Sequence, residues 1–281
     1  MSCPLCEDTG WKRVPRTGGA SAVTRCDCWH DTRGQRLLAE ARIPRRYQHC
    51  TFDNFATYGN ETLDRAVAAA RRLGADFPLI ERGLFLLGPP GVGKTHLCVA
   101  VLKQVVLRTK AHALFYDTRE LLRVIRQTYD PVVQATESDV LRPVLKADLL
   151  VLDDLGAEKT SEWVEETLNL IVNTRYNERR ATLFTSNYEE KEDRTDPDSL
   201  LVRVGARMHS RLYEMCEFLE FDGADFRHRP PNAGADDLLM MWKMKQQAPK
   251  AALPRRAGSA VRASLPDSSY GLKWTGGKVS R

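Results

Sequence analysis

Several groups of residues in this chain have the types and spacing to do chemistry. The run Gly88-Pro89-Pro90-Gly91-Val92-Gly93-Lys94-Thr95 fits G-x-x-x-x-G-K-[ST], a loop whose backbone N–H groups cradle phosphates. Lys94 would reach the β- and γ-phosphates of a nucleotide, and Thr95 would offer its hydroxyl to Mg²⁺. Asp153 and Asp154 close an apolar run. An acidic residue there is placed to hold Mg²⁺, which suits Asp153, and a second can orient or deprotonate the attacking water, which suits Asp154. The pair could equally start a turn, where Asp is common. Asn187 follows another apolar run and either senses a γ-phosphate and its attacking water or caps a turn. Arg211 lies before the last apolar run. It is a candidate to complete a neighbouring subunit's site by neutralising transition-state charge, with a surface salt bridge as the alternative.

A different chemistry opens the chain. Cys3-Pro4-Leu5-Cys6 and Cys26-Asp27-Cys28 bring four thiolates to one short segment, enough for a tetrahedral structural Zn²⁺. His30 could replace one thiolate. Free thiols or a redox pair remain open, although no βαβ pattern surrounds this C-x-x-C. Seven cysteines is an odd number, which also points to metal more than to disulfides.

The elements that must position these residues are legible as short apolar runs separated by helical periodicity. Leu84–Leu87, Ala113–Tyr116, Leu149–Leu152, Thr182–Thr185 and Phe218–Phe221 read as strands, with helical patterns between them. That alternation predicts an α/β fold, a parallel sheet covered by helices on both faces, with ligands at the carboxyl ends of its strands. A helix should follow the loop from His96 to Leu107, and another should span Leu63–Leu73 and stop at Gly74. Gly34–Ala41 reads as a short helix, and Arg45–Phe55 as a solvated linker anchored by Phe52 and Phe55, with contact of Arg45, Arg46 and Tyr47 to nucleic acid as the alternative. Between Thr118 and Lys146 two helices are expected; the first carries Arg119, Arg123 and Arg126 as one stripe, either a track for the phosphates of a single strand or a solvated face.

Composition sets limits on these readings. The chain has 281 residues, 42% hydrophobic, with no apolar run long enough for a membrane and no secretory leader, so a cytoplasmic protein is expected. Its net charge of +5 is uneven: Arg229 to Arg281 carries ten Lys/Arg against three Asp, a net of +7, which leaves −2 for the rest. The predicted organisation is a zinc-binding segment and linker at 1–50, a nucleotide-binding core at 51–229 and a basic tail at 230–281. The tail is disordered from about Gln246, apart from a helix at Asp236–Gln247.

The combination GPPGVGKTH, LLVLDDLGAEK, the Trp163–Tyr176 helix ending in Asn173-Thr174-Arg175-Tyr176, LFTSNY and MHSRL resembles the DnaC/DnaI-type helicase loaders among the AAA+ ATPases. The likeness covers about Ile43 to Arg227, and the cysteine-rich start is similar to the zinc-binding domain with which DnaI-type loaders grip the replicative helicase. It implies a slow ATPase that assembles with copies of itself, binds single-stranded DNA and loads a DnaB-type helicase. ATP/ADP would be held by Gly88 to Thr95 with His96, Mg²⁺ by Thr95 and Asp153, and structural Zn²⁺ by Cys3, Cys6, Cys26 and Cys28. Asp154, Asn187 and Arg211 would be the catalytic residues. Asp154 stands where most AAA+ proteins have Glu, one methylene longer, and the full helical lid of that group is missing, which leaves Arg227 as a stand-in for its second sensor. An IstB-type transposition helper shares these core motifs, and a non-enzymatic nucleic-acid adaptor is the rival from another class.

Overall fold

The computed structural model describes residues 3–7, 9–15, 21–130, 132–158, 161–191, 195–228 and 234–247; the side chains of residues 30, 31, 246 and 247 are not among those described. Strands β1 (Trp11–Pro15) and β2 (Ser21–Arg25) form an antiparallel hairpin, followed by helix α1 (Asp27–Glu40). Helix α2 (Glu61–Asp76) leads into the core, where β3 (Gly83–Leu87), α3 (Lys94–Thr109), β4 (Ala113–Asp117), α4 (Thr118–Gln127) and α5 (Glu137–Lys146) follow. Then come β5 (Leu149–Asp153), α6 (Glu162–Asn177), β6 (Ala181–Ser186), α7 (Leu200–Val204), α8 (Ala206–Met215), β7 (Cys216–Glu220) and α9 (Ala235–Gln247).

The five core strands form one parallel sheet in the order β4-β5-β6-β3-β7. Strands β3 to β6 read as nearly continuous apolar runs because alternate residues enter two separate cores, while the edge strand β7 carries Glu217 and Glu220. Leu84, Leu86, Phe115, Val151 and Leu183 pack on one side with Leu97, Val101 and Val105 of α3 and the Leu63–Leu73 face of α2. Phe85, Leu87, Tyr116, Leu152 and Phe184 pack on the other with Leu121 and Ile125 of α4, Leu168 and Ile171 of α6, and Leu212 of α8. Strand register levels the carboxyl ends: Asp117 lies beside Asp153, and Leu87 beside both Ser186 and Glu220. Everything that follows these strands therefore meets at one rim.

Two local expectations shift, at α2 and at α1. Helix α2 runs through Gly74 to Asp76. A Cβ at Gly74 would come within 2.6 Å of the Gln104 side chain, so this glycine serves the close packing of α2 on α3 and does not end the helix. Helix α1 begins at Asp27, seven residues before Gly34, and takes Cys28 into its first turn. Its last turn is also tied to the sheet, where the Phe115 backbone N–H of the edge strand β4 donates to Ala41 O at 2.9 Å. Helix α9 docks on the core through the buried Leu238, and Trp242 donates to Asp222 Oδ2 at 3.1 Å. Gln246 and Gln247 close that helix, and the expected disordered tail otherwise falls outside the described residues.

Candidate nucleotide site and cysteine cluster

The phosphate loop connects β3 to α3 over the carboxyl rim of the sheet. Gly91 and Gly93 have φ of +82° and +105°, in the region that side chains avoid. A Cβ at Gly91 would collide with Asp225, and one at Gly93 with the Phe55 ring. Lys94 opens α3 and turns back under the loop, donating to Gly88 O at 2.7 Å, Pro89 O at 2.9 Å and Asn187 Oδ1 at 2.8 Å. Burial pushes its pKa down to about 8, against the opposing influence of Asp153 and Asp154. Phosphate oxygens would compete for these same donors.

Beside the lysine, Thr95 Oγ1 donates to Asp153 Oδ1 at 2.9 Å, and Thr185 Oγ1 donates to the same oxygen at 2.7 Å. Burial raises the Asp153 pKa, and the two hydroxyls work against that rise. A threonine hydroxyl and a carboxylate in contact at a phosphate loop are hard oxygen donors, the set that suits Mg²⁺. Asp154 follows with φ +60°, its backbone N–H fixed on Thr185 Oγ1 at 2.8 Å. Its carboxylate accepts from Asn187 Nδ2 at 2.5 Å and pairs with Arg119 Nη2 at 3.2 Å. Lys94, Asn187, Asp154 and Arg119 are thus one polar chain, assembled from residues 94, 187, 154 and 119 at four strand exits.

The cleft around this chain has a volume of about 840 Å³. One wall is the segment read from sequence as a solvated linker, with Arg46, Tyr47, His49 and Phe55 lining the cleft, and Tyr58 just beyond that segment lines it too. Phe55 sits edge-on to His96 with ring centroids 5.2 Å apart, and His96 Nε2 donates to Thr51 O at 2.8 Å. Burial lowers the His96 pKa, which favours its neutral form. The other lip follows β7, where the Phe226 N–H donates to Gly91 O at 3.0 Å and Arg227 reaches the cleft. In the sequence Arg45, Arg46 and Tyr47 suggest contact with nucleic acid and not with a nucleotide cleft, and aromatic residues before a strand more often anchor a core.

Two arginines separate sharply. Arg211 on α8 donates to Arg207 O at 3.0 Å and is not among the residues lining its own chain's cleft. Arg175 on α6 is fully buried. It donates to Thr182 Oγ1 at 2.9 Å, to Val144 O and Ala147 O at 2.9 Å each, and to Ala181 O at 2.5 Å. Burial lowers its pKa to about 9, so it stays charged at neutral pH. It closes the carboxyl end of α5 and ties it to β6, the strand that leads into Asn187.

The cysteines form the second site. The Cys3–Cys6 turn and the hairpin bring Cys26, at the N-cap of α1, and Cys28 together with them, the Cys26 N–H donating to Gly10 O at 2.9 Å. Sγ atoms approach to 3.8 Å (Cys3 to Cys26) and 3.2 Å (Cys6 to Cys28), and all four lie within 4.8 Å of one another. A tetrahedron with metal–sulfur bonds of about 2.3 Å has edges of about 3.8 Å, so the donor set fits zinc. The side chain of His30 lies outside those described.

A parallel sheet in this order, with a phosphate loop, a Thr–Asp pair and an acidic–Asn pair on its carboxyl rim, defines a nucleotide-binding α/β protein of the phosphate-loop type. The sequence profile of the IstB-like ATP binding proteins matches residues 22–232, and this chain belongs to that family. It is 28% identical over 158 residues to the replicative helicase loader DnaC of Escherichia coli (strain K12), covering 56% of this chain and 63% of that protein. The chain thus spans less than two thirds of the length of that loader. It is 26% identical over 224 residues to the phage-like element PBSX protein XkdC of Bacillus subtilis (strain 168), covering 76% and 79%. A crystal structure of the DnaC helicase loader superposes with TM-score 0.56 and 34% identity, covering 63% of this chain and 99% of that one. Among the described residues no helix is long and apolar enough to cross a membrane.

Proposed function

We propose that this protein is an ATP-hydrolysing loader that places a DnaB-type replicative helicase on single-stranded DNA. The observation that carries the reading is the Lys94–Asn187–Asp154–Arg119 chain, which links the phosphate loop to an exposed basic helix. Backbone N–H groups of the loop and Lys94 bind the phosphates, while Thr95 and Asp153 would hold Mg²⁺. Bound Mg²⁺ supplies neutralisation of charge on the β- and γ-phosphate oxygens. Asp154 and Asn187 orient the attacking water, and Asp154 accepts its proton. Arg211 of a second copy would complete the site.

Single-stranded DNA would run along α4. Arg119, Arg123 and Arg126 are exposed on the helix, while Leu121, Leu122 and Ile125 are buried beneath them. The stripe ends at an aromatic pair: Arg126 lies 4.5 Å over the Trp163 ring, whose Nε1 donates to Tyr129 OH at 3.3 Å. Cations beside stacking rings suit a strand with exposed bases. Strand phosphates would draw Arg119 from Asp154 and release that carboxylate for catalysis. DNA binding would in this way switch hydrolysis on, and hydrolysis would let the helicase go.

The test measures ATP turnover with and without single-stranded DNA and the helicase of the same cell or its host, for wild type, Lys94→Ala and Asp154→Asn. DNA- or helicase-stimulated turnover that both substitutions remove supports the reading. Turnover absent in the wild type under every condition sinks it. The family's IstB-like members give weight to a second reading, a transposition helper. Binding to a transposase and not to the helicase would select that one.

A further inference from the structure

The hairpin beside the cysteines carries an exposed face that the nucleotide chemistry leaves unused. Antiparallel register sets Trp11 opposite Arg25 and Arg13 opposite Val23. Residues paired across strands, or two apart along one strand, share a side of the sheet. Trp11, Arg13, Val23 and Arg25 therefore form one face, and all four are exposed, Trp11 by 46% and Val23 by 60%. On the opposite side Lys12 and Ala22 are half-buried, and Lys12 is committed to Asp27 at 2.6 Å.

Arg25 is the centre of the exposed face. Its guanidinium carbon lies 3.8 Å from the Trp11 ring centroid and 4.5 Å from that of Trp29, so two indoles hold the plane of the group. Such stacking removes rotamer freedom before any partner arrives. Among the described residues, neither Arg13 nor Arg25 has a carboxylate within ion-pair distance. A fixed planar fork with open donors is built for a bidentate acid, and the indole and valine next to it suit an aliphatic neighbour.

Carboxylate and phosphate offer similar oxygen geometry, and net charge separates them. Residues 3–33 contain five Lys/Arg and four Asp/Glu. Four thiolates around a Zn²⁺ would take the module below neutrality. Nucleic acid binding draws on many unpaired cations at once, whereas a protein surface needs a single well-placed one.

We infer that Trp11, Arg13, Val23 and Arg25 are a docking face for a protein surface that presents a carboxylate beside aliphatic side chains. The identity of that partner rests on the loader reading, which makes it the replicative helicase. The experiment measures binding of the full-length, zinc-loaded protein to the purified helicase of the same cell or its host. Trp11→Ala and Arg25→Glu should each weaken binding about tenfold or more. Arg25→Lys, which keeps charge and loses the planar fork, should fall between them and wild type, and Thr24→Ala on the opposite side should bind as wild type. Zinc content and nucleotide affinity are measured on every variant; Arg13→Glu serves where one of the others loses its zinc. Variants that keep zinc and bind the helicase like wild type overturn the face, as do variants that keep the helicase and lose single-stranded DNA. A wild type that does not bind the helicase overturns the loader reading and this face together.

Discussion

The nucleotide cleft gathers side chains from distant parts of the chain and the cysteine cluster from a single short segment, and the two stand in opposite relations to the fold. The cleft is the product of a core: its polar chain hangs from strands that are apolar and covered on both sides. The cysteine module has almost no core of its own, since four of five residues in each hairpin strand are exposed. In the cleft the fold holds the site. In the module the site would hold the fold once a metal joins the four thiolates, because a small segment with little buried apolar surface depends on such a link.

Zinc is the cross-link we propose for the four thiolates, and removing it should break that contrast most directly. Chelation, or Cys26→Ser, should cost the module the whole zinc-coupled folding energy, on the order of 10 kcal/mol. Hydrogen exchange should then show the hairpin amides unprotected and the β3–β7 sheet unchanged. Loss of protection across the sheet as well would show that the two regions fold as one unit. The reciprocal experiment is Arg175→Met, which leaves buried carbonyls at the end of α5 without donors. We expect the core to lose about 3 kcal/mol in urea unfolding while zinc content stays the same. A stability unchanged from wild type would mean that water satisfies those carbonyls.

Smaller effects sharpen the account of the cleft. Asp154→Asn should lower kcat about 100-fold with ATP affinity nearly unchanged, because it removes a base and keeps the shape. A matching loss of affinity would place Asp154 in binding instead. The lowered Lys94 pKa predicts a pH effect on nucleotide affinity. Phosphate stabilises the ammonium, so affinity should be level below pH 8 and fall as pH rises past the free-state value of about 8. The loss should reach about tenfold between pH 7 and 9, read with a fluorescent nucleotide. A flat profile would mean that Lys94 keeps its proton without the nucleotide. Last, Arg119→Ala should raise basal turnover by about fivefold at most, the range of an exposed ion pair, and abolish stimulation by DNA. Stimulation that survives in this variant would detach the basic helix from Asp154.

Much of the core was readable from local pattern. Four of the five strands are apolar runs of the right length, while β7 (Cys216–Glu220) carries two glutamates and starts two residues before the expected Phe218–Phe221; the phosphate loop and Asn187 sit directly after their strands, and Asp153 ends β5 with Asp154 next to it. The hairpin escaped because its strands are short and exposed, with no alternation to mark them. The wall from Arg46 to Tyr58 escaped for another reason: its contacts are with the phosphate loop and with Ala224, whose N–H donates to Tyr58 OH at 3.0 Å across 166 positions of chain. Nothing in the local composition announces such a pairing.

Sequence alone determined where phosphate chemistry and thiolate chemistry could occur, because both depend on residue types at fixed short spacings. It also determined that a parallel sheet would carry the first of them. Only the tertiary structure decided that the sheet runs β4-β5-β6-β3-β7, so that Asn187 and Lys94 touch and Asp154 meets Arg119. Strand order is a matter of long-range packing, and no local spacing encodes which two strand ends become neighbours. The same holds for Arg175 and Arg211, two arginines on helices of one face. One is sealed among carbonyls and the other is left at the surface, and burial was the only difference that could tell them apart.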